Sequence, residues 1–363
     1  MLTVMIESGM GSVMVWRQWG GCLGAVMLTL ASVQADEGGG TGAGDAVTLD
    51  TYIRAQTDHH FQRYADDGYF GTLRHDRAPL PADADVLRPN RDVLHSVGLF
   101  DLSSPVTIST QADPTRLQSL QVVSQDHFTP LMVYGGREIT LDQDTVGSRY
   151  ALVMVRTQVD ADSPEDIAKA NAQQDAIEWS QAEQGEMTLP DWDVQGLADV
   201  RETVLGLSPF LSGSHRMFGA EGDVDPVRHL WGTAAGWLGQ PIEEAYYVTI
   251  NPLHNDGDTP QVLMLPVDVP VTGFWSVTVY DDQGRLIDGA DGAQSVTSST
   301  ADANEDGSVT LHFGGDPDVP NYLAIEPGWN YTLRFYRPTE ALTKGEWLPP
   351  SPTPVGLPVP ASN

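Results

Sequence analysis

A chain of 363 residues with 40% hydrophobic and 8% aromatic side chains is long enough for two ordinary domains, and this is not the composition of a disordered protein. Its 50 acidic against 19 basic residues give a formal net charge of −31, and Lys169 and Lys344 are the only lysines. No basic patch exists to neutralise phosphates, which argues against nucleic acid and anionic membrane as partners. So acidic a surface suits a high-salt medium, where counterions screen self-repulsion; the alternative is a field that attracts a cationic ligand.

Arg17 precedes a mostly apolar run over residues 20–32, and Val33-Gln34-Ala35 follows. That order of charge, apolar run and small-residue cleavage site predicts a signal peptide over 1–35, more ordinary in length if initiation is at Met10 or Met14. The run is too short and Gly-rich for a membrane span. The mature chain, cut near Ala35, is therefore expected to be periplasmic or secreted, with no membrane span. Cleavage removes Cys22, the only cysteine, and with it any disulfide or thiol nucleophile. Residues 36–46 form a Gly-rich linker. Its GTGAG string lacks the preceding strand and following helix of a phosphate loop.

The N-terminal domain, 47–160, opens with a predicted helix over 47–65 carrying Ile53, Phe61 and Tyr64; the adjacent His59 and His60 point too far apart to share an ion and are expected to face solvent. Short β-rich runs follow at 94–100, 106–110, 117–123, 131–134 and 150–159, spaced as in a sandwich or barrel. The run 151–155 is continuously apolar, as in a central strand covered on both faces. Two polar clusters interrupt this order. Asn90, Arg91 and Asp92 lie near His95, and Gln125 and Asp126 precede His127. An Asp beside a His can orient and polarise it as a general base, which makes Asp126 and His127 the candidate catalytic pair. The plain alternative is an Arg–Asp pair with turn-forming Asn and Asp.

A helical connecting region occupies 161–240. Ser163-Pro164-Glu165-Asp166 is a cap, a proline at the first position and acids over the positive end, predicting a helix to about Gln184. Leu197, Val200, Val204 and Leu205 mark a second helix. In the third, Asp225 caps and Pro226 opens; Val227, Leu230, Trp231, Ala234, Ala235 and Leu238 form an apolar stripe that Gly239 ends. Arg228 and His229 lie off that stripe and are candidates to meet an anionic group.

The C-terminal domain, 241–349, is again β-rich. Trp275, Val277 and Val279 alternate with Ser276, Thr278 and Tyr280, a half-buried strand ending in the turn Asp281-Asp282-Gln283-Gly284, with another strand expected directly after it. Val309, Leu311 and Phe313, and then Tyr331, Leu333 and Phe335, show the same period, so two antiparallel sheets facing each other would bury both sets. The acidic loops at Asn255–Asp258, Asp288–Gly292 and Asn304–Gly307 lack the ligand spacing of a calcium loop and read as turns. The tail, 350–363, is proline-rich and expected to be extended.

The chain has no GxSxG elbow, no HExxH and no complete phosphate or dinucleotide fingerprint. The strings NRDVLHSVGLFDLSSPVTI, QVVSQDHFTPLMVYG and GSRYALVMVRT resemble the N-terminal module of exported bacterial proteins built from domain-of-unknown-function families 1254 and 1214. RMFGAEGDVDPVRHLWGTAAGW, VPVTGFWSVTVYD, NEDGSVTLHFGG and PGWNYTLRFYRP resemble the second module. The resemblance implies two β-rich modules around a helical region and no settled activity. That family usually reads NRDTLYS where this chain has Val93 and His95, so a ligand touching those positions would differ here.

The fold expected is therefore α+β, mainly β with helices: two antiparallel sandwich- or jelly-roll-like domains joined by a helical region. Two functions fit. One is a periplasmic or envelope protein that binds a small ligand or serves a structural role. The other is a hydrolase using Asp126 and His127, with arginines holding an anionic substrate. The candidate ligand-binding residues are Asn90, Arg91, Asp92, His95, Arg156, Arg228 and His229. A metal site from His95, His127 and Asp92 is a weaker option; neither cofactor nor metal is assigned. The large sheets leave room for a homo-oligomer.

Overall fold

The computed structural model describes residues 44–81, 88–211, 213–287 and 293–356. The predicted signal peptide, Cys22, most of the linker, the loop Asp288–Gly292 and the end of the tail lie outside the described residues.

The chain opens with α1 (Tyr52–Asp66) and continues through β1 (Leu73–His75), β2 (Val93–Asp101), β3 (Val106–Ser109), β4 (Gln118–Ser124), β5 (Leu131–Tyr134), β6 (Glu138–Leu141), α2 (Gln143–Val146) and β7 (Tyr150–Gln158). A middle stretch holds α3 (Pro164–Asp175), β8 (Glu178–Gln181), α4 (Val194–Leu205) and α5 (Pro226–Ala235). Then come β9 (Ala245–Ile250), β10 (Gln261–Leu265), β11 (Trp275–Tyr280), β12 (Ser295–Thr297), β13 (Val309–Phe313), β14 (Tyr322–Leu323), β15 (Asn330–Tyr336) and β16 (Thr353–Pro354). The class is α+β. The sheets are antiparallel apart from the parallel pair β13 and β14.

The N-terminal half pairs a five-stranded sheet, β1-β2-β7-β4-β5, with a three-stranded one, β6-β3-β8. Val106, Ile108 and Leu141 pack on Phe100, Val122, Ala151, Val153 and Val155 between them. The opposite face of β7 carries Leu152 and Met154, which meet Phe61 of α1 and Trp237. Strand β7 is thus covered on both sides, as its unbroken apolar run requires. The helices α1, α4 and α5 share a core of Tyr52, Ala55, Leu197, Val204 and Ala234. Along α1 the two histidines are half-buried rather than exposed, and the His60 ring lies flat on Trp237 at 4.1 Å.

Two helix readings shift. The Ser163 side chain caps Asp166 N as expected, but α3 stops at Asp175 and the chain turns into β8, an edge strand on β3 whose Trp179 packs on Phe100. Residues 176–184 have no apolar stripe to continue the helix, so pairing with β3 decides. Asp225 caps α5 through Val227 N and Arg228 N, yet Val227 faces solvent while His229, Gly232 and Thr233 are buried. The polar groups of His229 and Thr233 have partners, so burying them carries little penalty.

The C-terminal half faces sheet β14-β13-β10-β16 against sheet β12-β11-β15-β9. Trp275, Val277, Val279, Tyr331, Leu333 and Phe335 meet Leu263, Leu265, Leu311 and Phe313 in one core. Gly284 adopts φ 84°, the left-handed turn position its sequence predicts, but residues 285–287 form no strand: β11 pairs with β15 and with β12. The acidic residues Asp256 and Asp306 cap their own turns through Thr259 and Ser308.

One expectation about this sheet is overturned. Ser276, Thr278, Tyr280, Asn330, Thr332, Arg334 and Tyr336 alternate with the core residues and were expected on the wet side, yet all are buried. The N-terminal half covers them. Residues 88–92, leading into β2, lie along this polar face, and all but Arg91 are bonded to it. Arg88 N donates to Gly284 O and its guanidinium to Asn330 Oδ1; Tyr280 donates to Pro89 O. Asn90 Nδ2 donates to Tyr336 Oη at 2.6 Å. The Asp92 carboxylate accepts from the hydroxyls of Ser276, Ser295 and Tyr336. A carboxylate can leave water only with such donors.

Replacing that carboxylate should loosen the two halves. Asp92→Ala leaves the buried hydroxyls of Ser276 and Tyr336 without this acceptor and takes one partner from Ser295, and we expect a loss of about 3 kcal/mol in urea unfolding. Limited proteolysis should then cut within residues 88–92, which the wild type holds against the sheet.

Candidate functional site

Where the polar face of β12-β11-β15-β9 and the Val97–Met154 face of the five-stranded sheet do not meet, they leave a cavity of about 510 Å³. Its N-terminal wall is built by strand register: His95 stands opposite Arg156, and Val97 opposite Met154, on β2 and β7. Its C-terminal wall carries Tyr247 opposite Arg334 and Thr249 opposite Thr332, on β9 and β15. Tyr64, Tyr69, Asp76, residues 78–80, residues 88–90, Val93, Leu94 and the connector 236–240 also line it.

The electrostatics invert those of the chain. Among the described lining residues there are three arginines, Arg88, Arg156 and Arg334, and one acid, Asp76. Burial holds the Asp76 carboxyl above its usual range, with Arg74 opposing. Arg334 is fully engaged, donating to Thr278 Oγ1, Tyr280 Oη and Arg88 O. Burial would lower its pKa, but the Tyr280 phenol, the Asp92 carboxylate and the Tyr336 phenol together raise it. Arg156 is different. Its one hydrogen bond among the described residues runs from Nη1 to the neutral Gln121 Oε1 at 2.8 Å. Gln121 is itself fixed, donating to Thr129 Oγ1 and to Gly239 O. Burial pulls the Arg156 pKa down, partly offset by the surrounding phenols of Tyr247, Tyr336 and Tyr64. No carboxylate bonds to it.

Beside it, His95 is pulled down to about 3, first by burial and then by the Arg156 charge, so its ring is neutral at ordinary pH. Its backbone carbonyl is taken by Gln174 and by Asp76 N. Its ring meets no hydrogen-bond partner among the described residues.

The sequence-derived candidates divide accordingly. Asn90, His95 and Arg156 line the cavity, and Asp92 lies behind it in its hydroxyl cage. Arg91 pairs with Asp162 on the surface at 2.8 Å. Arg228 donates to Gly213 O and His215 O, and His229 is buried between Met217 O and Asp126 O, so neither reaches the cavity. Asp126 and His127 do not form a catalytic pair. The Asp126 carboxylate is held by a two-pronged contact from Arg54, at 2.9 and 2.5 Å. The buried His127 ring accepts from Leu238 N at Nε2, so Nδ1 carries the proton and donates to Thr233 Oγ1. Burial keeps this ring well below its ordinary pKa, with His229 and His60 adding to the effect. His127 is a prop: it stacks on Trp237 and fixes Leu238, held at φ 72°, so that the connector forms the cavity wall. The trio His95, His127 and Asp92 does not converge on a metal position either, and no cluster able to hold a metal occurs among the described residues.

Arg334, Tyr247, Trp237 and Gln121 escaped the sequence reading. One signal was present: the outward positions of β9, β11 and β15 are hydroxyl-bearing, amide or aromatic apart from Ala245 and Arg334, with no acid in a chain holding 50 of them.

With this geometry in view, the likeness to known proteins is informative chiefly about architecture. Residues 251–340 match a family described as a protein of unknown function, DUF1214, which supports the resemblance of the C-terminal part. The crystal structure of the VPA0106 protein from Vibrio parahaemolyticus is similar over 85% of this chain and 98% of its own, at 20% identity and a TM-score of 0.66. An uncharacterized protein from Burkholderia cenocepacia is similar over 85% of this chain and 87% of its own, at 14% identity and a TM-score of 0.47. At such identity the first of these speaks for a shared fold alone. No curated protein matches the chain. No helix among the described residues is long and apolar enough to cross a membrane.

Loss of the His127 prop should show in stability and in its pH dependence. His127→Ala strands Leu238 N and removes a packed ring, for an expected loss of about 3 kcal/mol at pH 7. The folded pKa of His127 is depressed, so the unfolded chain binds the extra proton, and this residue's contribution fades as pH drops below about 6.5. Urea unfolding at pH 7 and pH 5 should therefore show a smaller gap between variant and wild type at pH 5.

Proposed function

We propose that this protein binds a small organic anion in the cavity between its two halves. The observation that carries the reading is Arg156, which lines the cavity and, among the described residues, is bonded to a neutral amide rather than to an acid. A half-buried cation with no carboxylate bonded to it carries a desolvation cost in the empty protein, and an anionic ligand offsets that cost. The cavity is also of the size and mixed lining usual for small-ligand sites. Arg156 is oriented before any ligand arrives, because Gln121 is pinned on both sides.

We infer as well that the protein works outside the cytosol. The charge at Arg17, the apolar run 20–32 and the small residues before Asp36 support export, and the shortage of lysine on so acidic a chain supports a saline medium. The N-terminal strings support a relation to family 1254 alongside the family 1214 match. The hydrolase reading rested on Asp126 and His127; with their polar groups engaged elsewhere, binding is the better supported activity.

The test is calorimetric titration of the full mature chain with small carboxylates and inorganic phosphate, at 0.15 M and again at molar salt (about 2 M, where the Debye length is a few ångström). At least one anion should bind and raise the melting temperature. Arg156→Gln should weaken it by at least about tenfold, the cost of one charge-assisted contact. Failure of every anion to bind, or an unchanged affinity in the variant, rejects the reading.

A further inference from the structure

The cavity is graded along its strands. On β2 and β7 the rung His95–Arg156 is followed by the rung Val97–Met154, and both rungs line the space. Side chains two residues apart on a strand share a face and stand about 7 Å apart. One rung therefore presents a guanidinium and an imidazole, and the next presents an isopropyl group and a thioether. Tyr64, Trp237 and Leu238 stand around the second rung. The third rung, Leu99–Leu152, is fully buried, which closes the cavity in that direction.

The charges facing this space fix the valence of the ligand. Arg334 is engaged by Thr278, Tyr280 and Arg88 O and lies in the field of Asp92. Arg88 donates to Asn330 and stacks over Tyr280. Arg156 spends one hydrogen bond among the described residues, on the neutral Gln121, and it is the arginine paired with His95 on the rung next to Val97–Met154. One under-compensated cation asks for one negative charge.

Resting on the anion-binding reading, we infer that the ligand is a monocarboxylate with an apolar body of roughly five to eight carbons, a length set by the spacing of the two rungs. Its carboxylate sits on Arg156 and beside His95, and its chain or ring lies over Val97 and Met154. A second carboxylate at the Val97–Met154 rung would lose its water without gaining a donor. Phosphate asks for more donors than a guanidinium already tied to Gln121 and one neutral imidazole supply. His95 contributes an N–H to the carboxylate as a neutral ring.

Titration of the full mature chain with acetate, butyrate, hexanoate, benzoate, succinate and inorganic phosphate tests this. From acetate to hexanoate, affinity should rise about fourfold per methylene. Succinate and phosphate should bind at least about tenfold more weakly than hexanoate, since neither has an apolar body to bury. Met154→Gln, close in size but polar, should weaken hexanoate about tenfold more than it weakens acetate, and Val97→Thr should act in the same direction if Met154→Gln fails to fold. Phosphate or succinate binding as tightly as hexanoate, or a chain length without effect, overturns the inference while leaving Arg156-dependent anion binding intact. If no anion binds at all, the underlying reading and this inference fall together.

Discussion

The polar side of β12-β11-β15-β9 has to be covered without leaving its hydroxyls and its arginine unpaired, and most of the molecule follows from that constraint. Burying such a face against a plain apolar surface would take partners from Ser276, Tyr280 and one arm of Arg334, each at a cost comparable to a lost hydrogen bond. The solution is a backbone segment, residues 88–92, that brings its own carbonyls, an amide side chain and the Asp92 carboxylate to the face. Further along, Tyr134 donates to Glu244 while Arg337 stacks on its ring at 4.5 Å, a second clasp between the halves. Where neither clasp reaches, the two sheets stay apart, and the gap is the cavity.

Much of the architecture was legible in the residues because it rests on local chemistry. Alternation placed Trp275, Val277 and Val279 in a core, the unbroken run 151–155 named a strand covered twice, and Ser163 and Asp225 marked helix starts that the structure shares. What failed depended on tertiary partners. A period of two says that Thr278 and Tyr280 share a side; whether that side meets water or another sheet is decided by residues nearly two hundred positions away, such as Pro89 and Asp92. In the same way the extension of α3 to Gln184 gave way to β8 because β3 offers an open edge.

The candidate site was half visible. His95 and Arg156 were singled out separately, one for its cluster and one as an anion anchor, and strand register makes them neighbours. Asp126 and His127 looked stronger by adjacency, yet adjacency at a turn sends two side chains in different directions: one to Arg54 and one to Leu238. The left-handed backbone at His127, φ 60°, is what turns its ring inward. Charge followed a similar logic. Acidity averaged over the chain describes its outside, whereas the cavity keeps its arginines and one acid among the described lining residues.

The double grip of Gln121 has a mechanical corollary. One end of its amide steadies the Arg156 guanidinium, and the other holds the carbonyl of Gly239 in the connector beyond α5. Gly239 in turn lies so close to Phe218 that even a methyl group there would collide with its ring, 2.3 Å away. The connector thus has no slack of its own, and any outward swing would pull the amide from its cation. Wall and charge are therefore tied to each other: a disturbance at Gly239 reaches the Arg156 guanidinium through a single amide.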